Sequence, residues 1–167
     1  MSLNMALLTV STSRRGQEDL SGTLLSEKAA LAGYHLVEHV HVPDSIYAIR
    51  AALSLWIDDA AVHFIVATGG TGPTADDRTS AALRPLLDKE LPGFGERFRH
   101  LSWQDVGQAG MLSDALLGLA NGKPIFALPG SPQACRLAWD DLIAPQMSQD
   151  ASGCSLGRWL ERLRPSI

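Results

Sequence analysis

Val62–Ala67 (VHFIVA) runs straight into Thr68–Pro73 (TGGTGP), and the reading of this junction decides the fold. The first six residues are apolar apart from His63. A strand apolar on both faces belongs in the centre of a sheet covered on both sides, because neither face can be left to water. Gly69, Gly70 and Gly72 follow directly. Without Cβ atoms there, a ligand can approach exposed backbone N–H groups, and these can cradle an anion. Glycine-rich turns also arise for conformational reasons alone. Thr68 and Thr71 add hydroxyls, and a helix is expected to resume near Arg78 and run to about Leu87.

On either side, short runs of Val, Leu and Ile alternate with longer stretches of helical period, which is the pattern of a layered α/β domain with parallel strands. Met5–Val10 reads as a buried first strand, Ser11–Leu20 as a loop, and Ser21 as the cap of a helix carrying Leu24, Leu25, Ala29, Leu31 and Ala32, stopped by Gly33. His35–Val42 reads as a second strand closed by Pro43. Asp44 or Ser45 then caps a helix whose Ala48, Ala52 and Leu55 recur at i, i+4 and i+7. Downstream, Leu91–Gly95 (LPGFG) has turn chemistry and Glu96–Leu101 predicts a short helix. Met111–Ala120 is ambiguous by period alone. Asn121-Gly122 resolves it as a hairpin turn, since both residues tolerate positive φ, so Leu116–Ala120 and Pro124–Leu128 are expected to pair antiparallel and make the sheet mixed. Ser131 and Pro132 then open a helix with Cys135, Ala138, Trp139 and Leu142 as its buried stripe, and Arg158–Arg164 is a final short helix or a docked tail.

The chain has 167 residues, 46% hydrophobic and 19% charged, with a net charge of −4. This length suits one domain, 1–167. The acidic balance without a basic cluster argues against nucleic acid and anionic membranes as partners. Met5–Val10 is too short to span a bilayer and lacks the flanks of a signal peptide, so a cytoplasmic protein is expected. Cys135 and Cys154 are too few for a disulfide framework and read as unlinked thiols in or near the core.

In open α/β sheets ligands bind beyond the carboxyl ends of the strands, so the loops there are where binding chemistry is expected. A Walker loop fails, because no Lys lies between Lys28 and Lys89. Gly70–Ala75 satisfies G-x-G-x-x-A but follows the third strand, with no acidic residue ending a strand about 20 residues on. Asp76 and Asp77 follow the glycine loop and Asp44 ends the neighbouring strand, so carboxylates could converge on Mg²⁺, which is commonly held by one or two carboxylates plus phosphates. Asp44 and Asp77 equally suit helix caps. Leu128–Ser131 (LPGS) repeats the strand, turn and helix-start arrangement. His39 and His41 share a strand face, but the sequence offers no third ligand and they read as surface or partly packed histidines. Arg14-Arg15 suits either a phosphate or solvent.

LLTVSTSRRG, DLSG, VPDS, TGGTGP with Asp77 beyond it, RPLLDKELPGFGERFRHLSWQDVG, LANG and FALPGSPQACRLAW cover most of the chain. Together they resemble the molybdenum cofactor biosynthesis family of MoaB and Mog, to which a domain of gephyrin also belongs, and the middle stretch looks like MoaB. The resemblance implies a three-layer α/β/α sandwich with a mostly parallel mixed sheet, a homotrimer or homohexamer, and a site for molybdopterin. It implies adenylylation of molybdopterin by Mg-ATP with release of pyrophosphate, or molybdopterin binding without turnover. Carried over by position, Asp44 and Asp77 are the catalytic and Mg²⁺-holding acids. Thr68, Gly69, Gly70, Thr71, Gly72, Ser113, Pro129, Gly130 and Ser131 bind substrate. GPTADD (Gly72–Asp77) also resembles the CinA proteins, which implies a metal-dependent nucleotide pyrophosphatase as a further alternative. Asp76 and Asp114 add carboxylates that would repel a polyphosphate unless they turn outward or bind metal. Phe94, Phe98 and Trp103 suit either an interface or core packing.

Overall fold

A computed structural model describes residues 2–12, 18–150 and 153–163. Arg14, Arg15 and Arg164 therefore lie outside the described residues. Six strands form one sheet in the order β2-β1-β3-β6-β5-β4: β1 (Asn4–Val10), β2 (His35–Val42), β3 (Phe64–Thr68), β4 (Lys89–Glu90), β5 (Leu116–Ala120) and β6 (Lys123–Leu128). β2, β1, β3 and β6 are mutually parallel, and β5 and β4 complete the sheet antiparallel. The mixed α/β sheet is the one expected.

Strand alternation sorts the core into two layers. Met5, Leu7, Phe64, Val66, Phe126 and Leu128 face α1 (Leu20–Leu31), α4 (Pro92–Val106), α5 (Pro132–Ala138), α6 (Ala144–Met147) and α7 (Leu156–Leu163). Ala6, Leu8, Ile65, Ala67 and Ile125 face α2 (Ile46–Asp58) and α3 (Thr79–Leu83). Each large side chain so buried is worth roughly 1.5–3 kcal/mol. The hairpin turns at Asn121-Gly122, with φ of 48° and 73°. Among the described residues no helix is long and apolar enough to cross a membrane.

Several sequence expectations shift. The buried stripe of α2 is Ile49, Leu53 and Trp56, one residue beyond the expected set, and Leu55 is 73% exposed. The bulkier side chains win the core, and the alanines stand to one side. Asp19, not Ser21, caps α1: its carboxylate accepts from Gly22 N, while Ser21 Oγ donates to Gly130 O at 2.8 Å. Leu31, expected on the apolar face of α1, is 88% exposed. The helix expected to Leu87 stops at Leu83 and tightens into a 3₁₀ turn, because Pro85 has no N–H to continue the α ladder. α4 begins at Pro92, so the segment read as a turn is its first turn, with proline preorganised there and Phe94 and Phe98 buried at i, i+4. Trp103 remains exposed. β4 had no periodicity to announce it. Cys135 is buried and Cys154 exposed, both unlinked, so only the first belongs to the core.

Candidate functional site

The site is built by one strand pair. β3 and β6 run parallel with Thr68 opposite Leu128, so the glycine loop and the Pro129–Ser131 loop leave the sheet side by side. Gly69 N donates to Leu128 O at 2.9 Å and Thr68 Oγ1 to Pro129 O at 2.9 Å, locking the second loop to the first. Gly69 (φ +97°) passes so near Val10 that a Cβ there would collide with the Val10 carbonyl. Gly70 (φ +66°) turns the chain, and Thr79 closes the loop from the far side, its Oγ1 donating to Gly69 O and its N to Gly70 O.

Asp44 stands at the end of β2. It is not a helix cap, since Ser45 caps α2 through Ala48 N. Thr12 N and Thr12 Oγ1 both donate to Asp44 Oδ2, at 2.8 and 2.9 Å, and Asp44 N donates back to Thr12 Oγ1. Its Oδ1 faces Gly70 so closely that a Cβ on Gly70 would lie 3.0 Å away. Asp77 also caps nothing, because α3 has no side-chain cap. Thr74 N and Thr74 Oγ1 donate to its Oδ2 at 2.9 and 2.6 Å, and the carboxylate folds back over Gly72, where a Cβ would meet it. Burial pushes the Asp77 carboxyl up, but the bonds from the Thr74 hydroxyl, the Thr74 amide and the Gly72 amide outweigh this and hold it below the usual carboxylate range.

An open cavity of about 500 Å³ collects these groups: Asp44, Asp77, Gly70, Thr71, Gly72, Ser113, Pro129, Gly130 and Ser131 all line it. Thr68 and Gly69 do not. Thr68 is 1% exposed, with Oγ1 within 3.1 Å of Cys135 Sγ, and both residues serve as the framework beneath the loop. Thr71 is 2% exposed, and its hydroxyl has no hydrogen-bond partner among the described residues. Such an orphan costs about 1–3 kcal/mol, which a ligand oxygen would relieve. Ser131 caps α5 through Ala134 N, as expected.

The two added carboxylates turn away. Asp114 hands its backbone N to Thr71 O at 2.8 Å but gives its side chain to Arg84, and Asp76 is solvent-exposed; neither lines the cavity. Sequence reading missed Ser11, Pro73, Ala109 and Leu112 as lining residues. Ser11 directly follows β1, so its position beyond a strand end was a usable signal. Ala109 and Leu112 come from a 3₁₀ segment, Gly107–Leu112, whose residues carry no chemical mark. Among the described residues, no Lys or Arg lines the cavity, and the groups there that can meet an anion are backbone amides and hydroxyls.

Residues 6–149 match the family model described as "probable molybdopterin binding domain". The chain is 44% identical over 158 residues to molybdenum cofactor biosynthesis protein B of Escherichia coli strain K12, covering 95% of this chain and 93% of that one. A crystal structure of a molybdenum cofactor biosynthesis protein B superposes with a TM-score of 0.87 at 35% identity, covering 98% of this chain and 96% of the other. The tungsten cofactor synthesizing protein MoaB of Pyrococcus furiosus superposes with a TM-score of 0.82 at 31% identity, covering 98% of each chain. A chain matched along most of its length by family model, sequence and backbone alike belongs to the MoaB/Mog family of molybdenum cofactor biosynthesis proteins.

Proposed function

We propose that this protein binds molybdopterin and adenylylates it with ATP in the cavity between the two glycine-bearing loops. The observation that carries this reading is the convergence of Asp44 and Asp77 with both loops on one cavity. The terminal phosphate of molybdopterin is ionised near neutral pH and is itself the nucleophile, so no general base is needed. One of its oxygens bonds to the α-phosphorus of ATP as the bond from that phosphorus to the β-bridging oxygen breaks, and pyrophosphate leaves with that electron pair. The obstacle is holding two polyanions in line, which is a matter of position and charge.

Asp44 and Asp77 fit Mg²⁺, being hard oxygen donors held by Thr12 and Thr74 so that they are aimed before any ligand arrives. When bound, Mg²⁺ neutralises polyphosphate charge. The amide of Gly70 and the Thr71 hydroxyl are left to meet phosphate or pterin oxygens.

Incubation with molybdopterin, Mg²⁺ and ATP tests the reading. Adenylylated pterin with stoichiometric pyrophosphate is expected, and Asp77→Ala is expected to abolish it while pterin binding persists. Pterin binding with no turnover would leave a binding protein of the same pathway. ATP hydrolysis indifferent to pterin would leave a nucleotide pyrophosphatase.

The exposed apolar residues Trp103, Val106, Met111 and Leu112 lie on and beside the wall that contributes Ala109 and Leu112 to the cavity. They support assembly as a homotrimer or homohexamer, and light scattering that finds monomer alone would contradict it.

A further inference from the structure

The first turn of α1 carries a second cluster, separate from the cavity lining. His39 and His41 stand on the same face of the edge strand β2, ring centroids 4.4 Å apart, and Asp19 reaches them from the start of α1. Asp19 Oδ2 is the focus: His41 Nε2 lies at 2.8 Å, His39 Nε2 at 3.4 Å, and Thr9 Oγ1 donates to it at 2.7 Å. One ligand atom from each of the three residues falls within 4.8 Å of the others. Ligands around a tetrahedral Zn²⁺ at about 2.0–2.1 Å stand roughly 3.3 Å from one another, so the cluster already has close to the required spread. We propose that Asp19, His39 and His41 form a binding site for a divalent first-row transition metal of the Zn²⁺ class.

Three further observations fit that chemistry. Asp19 Oδ1 is spent on Gly22 N, which caps α1 and fixes the carboxylate with Oδ2 facing the histidines. A Cβ at position 22 would collide with Asp19 Oδ2 and His39 Cε1 as they stand, so glycine there lets α1 close onto the strand. His39 is half-buried and presents Nε2 to the same Asp19 oxygen as His41. Imidazole with one carboxylate selects Zn²⁺, Ni²⁺ or Cu²⁺ over Mg²⁺, which prefers an all-oxygen set. Two imidazoles and a carboxylate satisfy three of four positions, and the fourth falls on the side where His41 meets solvent. A metal here would staple the start of α1 to the edge of the sheet. Because Ser21 of the same turn bonds Gly130 O, that staple also stiffens one wall of the cavity.

Calorimetric titration of the chelator-treated protein with ZnCl₂ tests this, in the absence of ATP and pterin so that the outcome is independent of turnover. The expected result is one equivalent bound, with affinity reduced roughly tenfold or more in His39→Gln and in His41→Gln, since even partners outside the coordination sphere are worth about that factor. His41 is on the surface, so its variant is expected to fold normally, and circular dichroism checks this. Zn²⁺ is expected to raise the Tm of the wild type by a few degrees and not that of the variant. No binding by the wild type would overturn the proposal and leave a hydrogen-bonded cap. Binding that survives both histidine variants would overturn it by assigning the ion elsewhere, to the Asp44 region if Asp44→Asn removes it or to Cys154 if a cysteine block does.

Discussion

Arg84 grips both carboxylate oxygens of Asp114, Nη1 to Oδ2 and Nη2 to Oδ1, each at 2.8 Å. This fork draws an acid next to the cavity away from it, while the backbone of Asp114 stays bonded to Thr71. The guanidinium holds the Asp114 carboxyl below its ordinary value despite partial burial. Arg84→Met is therefore expected to free a negative charge beside the cavity proposed to bind ATP. The KM for ATP should rise several-fold with kcat less affected. Because the pair is largely exposed, stability should fall by no more than about 1 kcal/mol. Steady-state kinetics with urea melts separate the two effects, and Arg84→Met/Asp114→Asn should restore KM.

Thr74, through its hydroxyl and amide, helps hold the Asp77 carboxyl below its ordinary value. A carboxylate whose folded pKa is depressed adds stability that is present above its unfolded value, about 3.9, and is lost as pH falls through the folded one. Thr74→Ala removes the 2.6 Å hydroxyl bond and raises the Asp77 pKa. The loss, under about 1 kcal/mol for so accessible a group, should be present near neutral pH and vanish in acid, where Asp77 is protonated with or without Thr74. Urea unfolding at both pH values checks the sign, and an equal loss at each would contradict it.

Gly22→Ala tests packing at the start of α1. In an ordinary helical position this change stabilises by about 0.5–1 kcal/mol. Here the methyl collides with the capping carboxylate, so destabilisation of roughly 1–3 kcal/mol is expected, readable as a lowered urea midpoint.

The two thiols should separate by reactivity. Burial pushes the Cys135 thiol up to about 11, and it is enclosed beneath the Pro129 loop, whereas Cys154 is exposed. Iodoacetamide should label Cys154 in the native protein and both residues after denaturation, as mass spectrometry would show.

Local chemistry was legible in the sequence and long-range geometry was not. The Asn121-Gly122 turn and the Ser131-Pro132 start are decided by neighbouring residues and stand where reading placed them, while the strand expected over Val62–Ala67 runs over Phe64–Thr68. The α2 stripe missed by one residue, because Ala and Leu repeat at the same period as the bulkier Ile49, Leu53 and Trp56. Asp44 and Asp77 were legible as acids that could converge, and both line the cavity. Their anchors were less so: Thr12 is a partner of Asp44 only through the β1–β2 pairing. The same limit hid Asp19 from His39 and His41, and led Thr68 and Gly69 to be read as contacts when they are the framework underneath.

The β3–β6 seam also bears on the order of assembly. Ile65 pairs with Ile125 across sixty residues, whereas β5 and β6 meet across a two-residue turn. Hairpins close in microseconds, while a parallel pairing must first meet the entropy of a long loop. The hairpin therefore forms early and docks late, and the two loops meet only when it docks. A nascent chain holds the glycine loop but no cavity until residue 128 has emerged and found β3, so ligand binding reports completion of the whole sheet.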